Sequence, residues 1–110
     1  MSGNLIRLTY VSTLRLYVTD ADIDDLVAKA ADFNKAHDIT GVLAIDGDRI
    51  CQILEGPEEA VDTLFSSIRQ DERHHAVVQI EHRAIAKTAF ETWGMARRKM
   101  VDMVMFALIS

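Results

Sequence analysis

The stretch Ile39-Thr40-Gly41-Val42-Leu43-Ala44-Ile45-Asp46-Gly47-Asp48-Arg49-Ile50-Cys51-Gln52-Ile53-Leu54-Glu55-Gly56 decides the fold. Two apolar runs flank Asp46-Gly47-Asp48. That tripeptide is a turn signal, because Gly accepts positive φ and Asp accepts turn geometry. Both runs are rich in Ile, Val and Leu, the composition of strands buried on both faces. Gln52 breaks the pattern. A buried amide needs partners for its donor hydrogens and its acceptor oxygen, so something polar must meet it.

On the N-terminal side, Asn4 to Ser12 alternates. Ile6, Leu8 and Tyr10 share one face of a strand, and Leu5, Arg7 and Thr9 share the other. Thr19 followed by Asp22 marks a helix start in the manner of a capping box. Ile23, Leu26, Val27 and Ala30 then form an apolar stripe, with Phe33 near its end. The spacing predicts fraying between Asn34 and Asp38.

On the C-terminal side, Gly56-Pro57-Glu58-Glu59 opens a second helix, with Pro57 in its first turn and acids that complement the helix dipole. Val61, Leu64, Phe65 and Ile68 make its stripe. The polar run Gln70 to His75 ends it, and Arg73 is expected to cap its negative end. Ala76 to Glu81 reads as a strand with Val78 and Ile80 on one face. Phe90 to Arg97 reads as a last strand, with Trp93 and Met95 on one side. Met100, Val101, Val104, Met105 and Leu108 read as a short helix or a strand.

The order is therefore β-α-β-β-α-β-β. Two βαβ crossovers sharing one mixed sheet predict an α+β, ferredoxin-like fold with both helices on one face. If the two inward-reading sets both face the helices, Tyr10 and Gln52 become neighbours.

The chain has 110 residues, the length of one domain. Its net charge of −5 argues against nucleic acid as a partner. The longest apolar run, Met103 to Ile109, is too short for a bilayer, so no membrane partner is expected. No charged-then-apolar leader is visible. Cys51 is the sole cysteine, which precludes an intrachain disulfide and fits a cytoplasmic setting. His74, His75 and His82 match no zinc spacing, so no metal site is expected.

Tyr10 and Gln52 can form a small polar network in an apolar slot, and Asn34 can add an amide to its rim. Such a slot suits a flat heteroaromatic ligand with carbonyl and ring-nitrogen edges. It does not suit hydrolysis, because no carboxylate pair or nucleophile–base set converges there. Spacing alone leaves the plainer reading open, in which Tyr10 and Gln52 are core polar groups that satisfy each other.

The chain resembles the BLUF domain family of flavin-binding blue-light sensors. The matching segments are Leu8-Thr9-Tyr10-Val11-Ser12, Asn34 with Ile39-Thr40-Gly41-Val42-Leu43, and Gln52-Ile53-Leu54-Glu55-Gly56. Gln70-Asp71-Glu72-Arg73-His74-His75 and Phe90-Glu91-Thr92-Trp93-Gly94-Met95 follow in family order. Each segment is weak alone; the ordered set, from about residue 4 to 97, is specific.

The resemblance implies a flavin, FAD with FMN as the alternative, held between the two helices by Tyr10, Asn34, Gln52, Ile68 and Arg73. Tyr10 matches the photoactive tyrosine that gives an electron and then a proton. Gln52 matches the glutamine that rearranges, by rotation or tautomer change. Asn34 matches the asparagine on the ring's carbonyl and N3 edge. Trp93 and Met95 match the pair that relays the signal through the last strand. Residues 1–98 would be the flavin-binding domain and 99–110 a short tail. The expected product is a sensor module, not an enzyme, and the sequence names no downstream effector.

Two departures stand out. Phe33 replaces a polar residue that many members carry beside the asparagine. Ser67 replaces a basic or imidazole side chain near the phosphates, which leaves Lys29, Lys35, Arg69 and Arg73 as candidate cations. Many members continue with helices over the far face of the sheet. Here Leu5, Cys51 and Ile53 would show on that face, which predicts a homo-oligomer that buries it. The rival readings are a ferredoxin-like ligand-binding or interaction module without photochemistry, and an acylphosphatase-like hydrolase. The hydrolase would want an Arg-rich loop between Ser12 and Asp20, where only Arg15 stands.

Overall fold

The computed structural model describes residues 4–90 and 93–95. Five strands and two helices follow in the order β1 (Leu5–Leu14), α1 (Asp20–Ala36), β2 (Thr40–Asp46), β3 (Arg49–Pro57), α2 (Glu58–Arg69), β4 (His74–Ile85) and β5 (Trp93–Met95). The sheet order is β4-β1-β3-β2-β5. The first four strands pair antiparallel, and β5 lies parallel to β2. This is the ferredoxin-like arrangement expected, a mixed sheet with one strand added at its edge.

Local chemistry fixes the elements. Thr19 caps α1: its hydroxyl accepts from the Asp22 N–H, and the Asp22 carboxylate accepts from the Thr19 N–H. These bonds also hold the Asp22 carboxyl below the usual carboxylate range. Chain direction reverses after α1 through Asp38 at φ 58°, a left-handed position that Asp tolerates. The β2–β3 hairpin turns on Gly47 at φ 63°, the positive φ that twist-matched hairpin turns require. Pro57 acts one position earlier than expected. It ends β3 and caps α2 from outside, where its missing N–H costs no helix bond.

Alternation sorts the side chains onto two faces. Ile6, Leu8 and Tyr10 of β1, Leu43 of β2 and Ile50 and Leu54 of β3 join Ile23 of α1 and Val61 and Phe65 of α2 in one core. Both helices therefore cover the same face. Each fully buried Leu, Ile or Phe contributes roughly 1.5–3 kcal/mol, so this cluster holds the layers together. On the far face, Ala44, Cys51 and Ile53 form a second cluster with Phe90 packed against it.

Three expectations need correction. Cys51 and Ile53 are 3% and 0% exposed within the single chain, so they supply no exposed patch to drive oligomerisation. Strand β4 is longer than Ala76–Glu81, and its pairing with β1 is interrupted between Thr9 and Tyr10 and between Val11 and Thr13. Val78 and Ile80 both stand exposed. Arg73 does not cap α2; its guanidinium grips the Asp71 carboxylate. Of the expected last strand, Trp93–Met95 is described as backbone, whereas Arg97 and the expected element from Met100 to Leu108 lie outside the described residues.

Candidate functional site

Tyr10 and Gln52 are register partners on β1 and β3, and both side chains lie under the helices. The Tyr10 hydroxyl donates to Gln52 Oε1 at 2.6 Å. Leu43 of β2 is the next residue in this row, and Met95 of β5 follows it. The bonded pair thus lies on one line across the sheet with the edge strand, and Gln52 and Met95 are two strand spacings apart, roughly 10 Å.

Tyr10 is wedged between rings. Phe65 of α2 lies 5.4 Å away between centroids, and His74 lies 6.3 Å away, edge-on. Burial pushes the phenol well above its ordinary pKa, and the nearby Cys51 and Asp71 add to that. It therefore stays a protonated donor across the neutral range.

His74 locks this corner. Its Nε2 lies 2.6 Å from the Ile68 carbonyl, which can only accept, so Nε2 carries the proton. In the neutral ring Nδ1 is then the acceptor for the Ser12 hydroxyl, 2.8 Å away. One imidazole joins β1, the end of α2 and the start of β4.

Asn34 lies in the last turn of α1 and is 1% exposed. Neither its Nδ2 nor its Oδ1 has a hydrogen-bond partner among the described residues. An unpaired buried amide costs roughly 1–3 kcal/mol, a cost that a ligand can remove. Asn34 faces a cavity of about 370 Å³ that also receives Tyr10 and Gln52 and is walled by apolar side chains such as Val27, Leu43, Ile50 and Ile68. Apolar walls with three placed polar side chains, one of them carrying an unused donor and acceptor, fit an isoalloxazine ring: its faces are apolar and its edge alternates carbonyl and N–H.

The cations divide. Lys29 and Arg73 line the cavity, whereas Lys35 and Arg69 do not. Arg69 lies over the Phe65 ring at 4.7 Å. Lys29 pairs with Asp25 at 3.0 Å in the open. The Arg73 guanidinium holds the Asp71 carboxyl below its ordinary range, and Asp71 raises Arg73 in return. Ser67 and Phe33 also line the cavity, and the Phe33 ring stacks on His37 with centroids 4.0 Å apart.

Sequence reasoning missed two features. His74 sits in a polar run that reads as solvent-exposed. The ion pair between Arg7 Nε and Glu55 Oε2, 2.7 Å long, is buried on the far face. Its signal was a charge inside each of two otherwise apolar strands.

Comparison with known proteins agrees with this geometry. The sequence model described as sensors of blue-light using FAD, BLUF, matches residues 5–96. The chain is 37% identical over 76 residues to the blue light- and temperature-regulated antirepressor BluF of Escherichia coli K12, covering 69% of this chain and 19% of that protein. The solved structure of BlsA in its photo-activated state superposes with a TM-score of 0.82 at 30% identity, over 96% of this chain and 79% of that one. Klebsiella pneumoniae BlrP1, solved with FMN and cyclic diGMP, superposes with a TM-score of 0.77 at 38% identity. That match spans 83% of this chain and 24% of BlrP1.

Proposed function

The chain belongs to the BLUF family of flavin-binding blue-light sensors that use FAD, and from that premise we propose that Tyr10 and Gln52 are its switch and Asn34 its ring anchor. The observation that carries the reading is the 2.6 Å bond from Tyr10 to Gln52 Oε1 on the wall of an apolar cavity. Asn34, with both amide atoms free, holds the ring's polar edge. Ile68 supplies apolar wall, and Arg73, held by Asp71, is placed at the cavity beside Lys29 to meet a phosphate.

When bound, the flavin supplies blue-light absorption and an excited state that accepts an electron. A neutral phenol becomes strongly acidic once oxidised, so the Tyr10 proton leaves along its bond to Gln52 Oε1. Return of the electron and proton restores neutral Tyr10. What persists is the changed amide: rotation turns Nε2–H towards the Tyr10 hydroxyl, or a tautomer change puts a proton on Oε1, and in either case Gln52 becomes the donor to Tyr10. One buried hydrogen bond is worth roughly 1 kcal/mol net, enough to bias a bistable neighbour and little more.

That neighbour is β5, through Trp93 and Met95. Residues 1–98 act as the sensor and 99–110 as a tail. The chain spans about a fifth of the length of the antirepressor it matches; we read it as a sensor module that signals to a partner, not as a catalyst. No helix among the described residues is long and apolar enough to cross a membrane; we place the sensor, with its single cysteine, in the cytoplasm.

The test is reconstitution with FAD and, separately, with FMN, followed by absorption spectra in the dark and under blue light. A modest red shift that reverts in the dark supports the reading. A bound flavin that only bleaches refutes the sensor, and failure to bind either flavin refutes the site.

A further inference from the structure

The side of the sheet away from the cavity holds a second polar constellation. Gln52 and Glu55 are three residues apart on β3 and so point to opposite faces. Glu55 has no exposed surface, and its cross-strand neighbour Arg7 is 4% exposed. A buried ion pair is costly to assemble, and it persists where both charges are fully hydrogen-bonded. Arg7 takes Glu55 Oε2. The other oxygen, Oε1, accepts the Ala89 N–H at 2.6 Å.

Ala89 lies between the end of β4 at Ile85 and the start of β5 at Trp93. Strand β5 is described over Trp93–Met95, paired parallel to β2 at the end of the described sheet. An anchor on the segment that leads into β5 bears directly on where that strand sits.

Across β2, the register partner of Glu55 is Thr40. The Thr40 hydroxyl is buried and has no hydrogen-bond partner among the described residues. Directly opposed residues have side chains about 4.5–5.5 Å apart at Cβ, within reach of a glutamate. Glu55 is therefore flanked by two donors, one engaged and one idle. If Ala89 left with no substitute, a buried carboxylate oxygen would be stranded. With Thr40 beside it, the oxygen can exchange one donor for the other.

We propose that Glu55 is the positioning residue of the output strand, holding the Ala89 N–H in the dark and passing to the Thr40 hydroxyl when β5 is released. The mechanism rests on the photoreceptor reading above. Gln52 sits on the same strand, and the row through Gln52, Leu43 and Met95 gives it a path to β5. The exchange leaves the Glu55 carboxylate hydrogen-bonded in both states, so release strands no buried charge.

The experiment measures amide exchange at Ala89 in the flavin-loaded chain, dark and illuminated, with the absorption shift recorded on the same sample. In the parent the Ala89 amide is protected in the dark, and light speeds its exchange about tenfold, the scale of one lost hydrogen bond to a charge. Thr40→Val keeps the shape, the β-branch, the red shift and the dark protection, but loses the light-induced increase. A dark Ala89 amide as fast as an unbonded one overturns the proposal. So does a Thr40→Val protein that opens as far as the parent. A parent that lacks the red shift overturns the photoreceptor reading and the exchange with it, whereas a red shift with a light-silent Ala89 amide overturns the exchange alone.

Discussion

Tyr10 and Gln52 face each other across adjacent strands, and the phenol donates to the amide oxygen at 2.6 Å. The bond is short, buried and bordered by an apolar cavity. A tyrosine hydroxyl can give or take a hydrogen bond, and a primary amide offers either at nearly the same point. The pair can therefore be reconnected without moving the backbone, and strand register supplies the alignment.

Asn34 separates binding from stability. Its two unpaired amide atoms burden the flavin-free protein and hold the ring in the loaded one. Asn34→Leu, similar in size, is expected to weaken flavin binding at least about tenfold and to stabilise the flavin-free protein by about 1 kcal/mol. A flavin titration and a thermal melt without flavin check the two halves. An Asn34→Leu protein that binds as tightly as the parent would remove Asn34 from the site.

Tyr10 makes flavin-free stability sensitive to alkali. Its folded pKa is raised above its unfolded value, chiefly by burial. The stabilisation is thus complete below the unfolded pKa of about 10 and is lost as pH rises towards the folded value. Denaturant unfolding of the flavin-free protein from pH 8 upward should show a decline beginning near pH 10. Tyr10→Phe should flatten that decline; an equal decline in the variant would assign it elsewhere.

Gly41 and Gly47 differ in why they are glycine. At Gly41 an added Cβ would lie 1.9 Å from the Ile53 carbonyl oxygen, in backbone at φ +150°. At Gly47 the φ is +63° and the space is open. Gly47→Ala should cost about 1–2 kcal/mol from backbone strain alone. Gly41→Ala should exceed about 4 kcal/mol, because β2 must move away from β3. Denaturant midpoints rank the two, and equal losses would contradict the close approach of these strands.

Much of this was legible in the sequence because it is periodic. Alternation in β1 and β3 assigned Tyr10 and Gln52 to one face, and Thr19 with Asp22 marked the start of α1. What escaped depends on contacts distant in the chain. His74 is polar and follows Gln70 to Arg73, yet it is buried because β4 starts there beside Leu14 and the Ile68 carbonyl accepts a hydrogen bond from its ring. Arg73 turned to Asp71 because a carboxylate two residues away outcompetes helix carbonyls for a guanidinium. Cys51 and Ile53 looked uncovered because a far face has no periodic signal for what packs on it. Val78 and Ile80 read as one face of a strand, but periodicity does not say whether a face is covered, and both stand exposed.

The most direct measurement of the central claim is the light-minus-dark absorption spectrum of the flavin-loaded chain beside that of Gln52→Leu. The substitution removes the amide and leaves the apolar walls intact. A reversible red shift is expected in the parent and none in the variant, with flavin bound in both. A Gln52→Leu protein that shifts and recovers like the parent would contradict that claim.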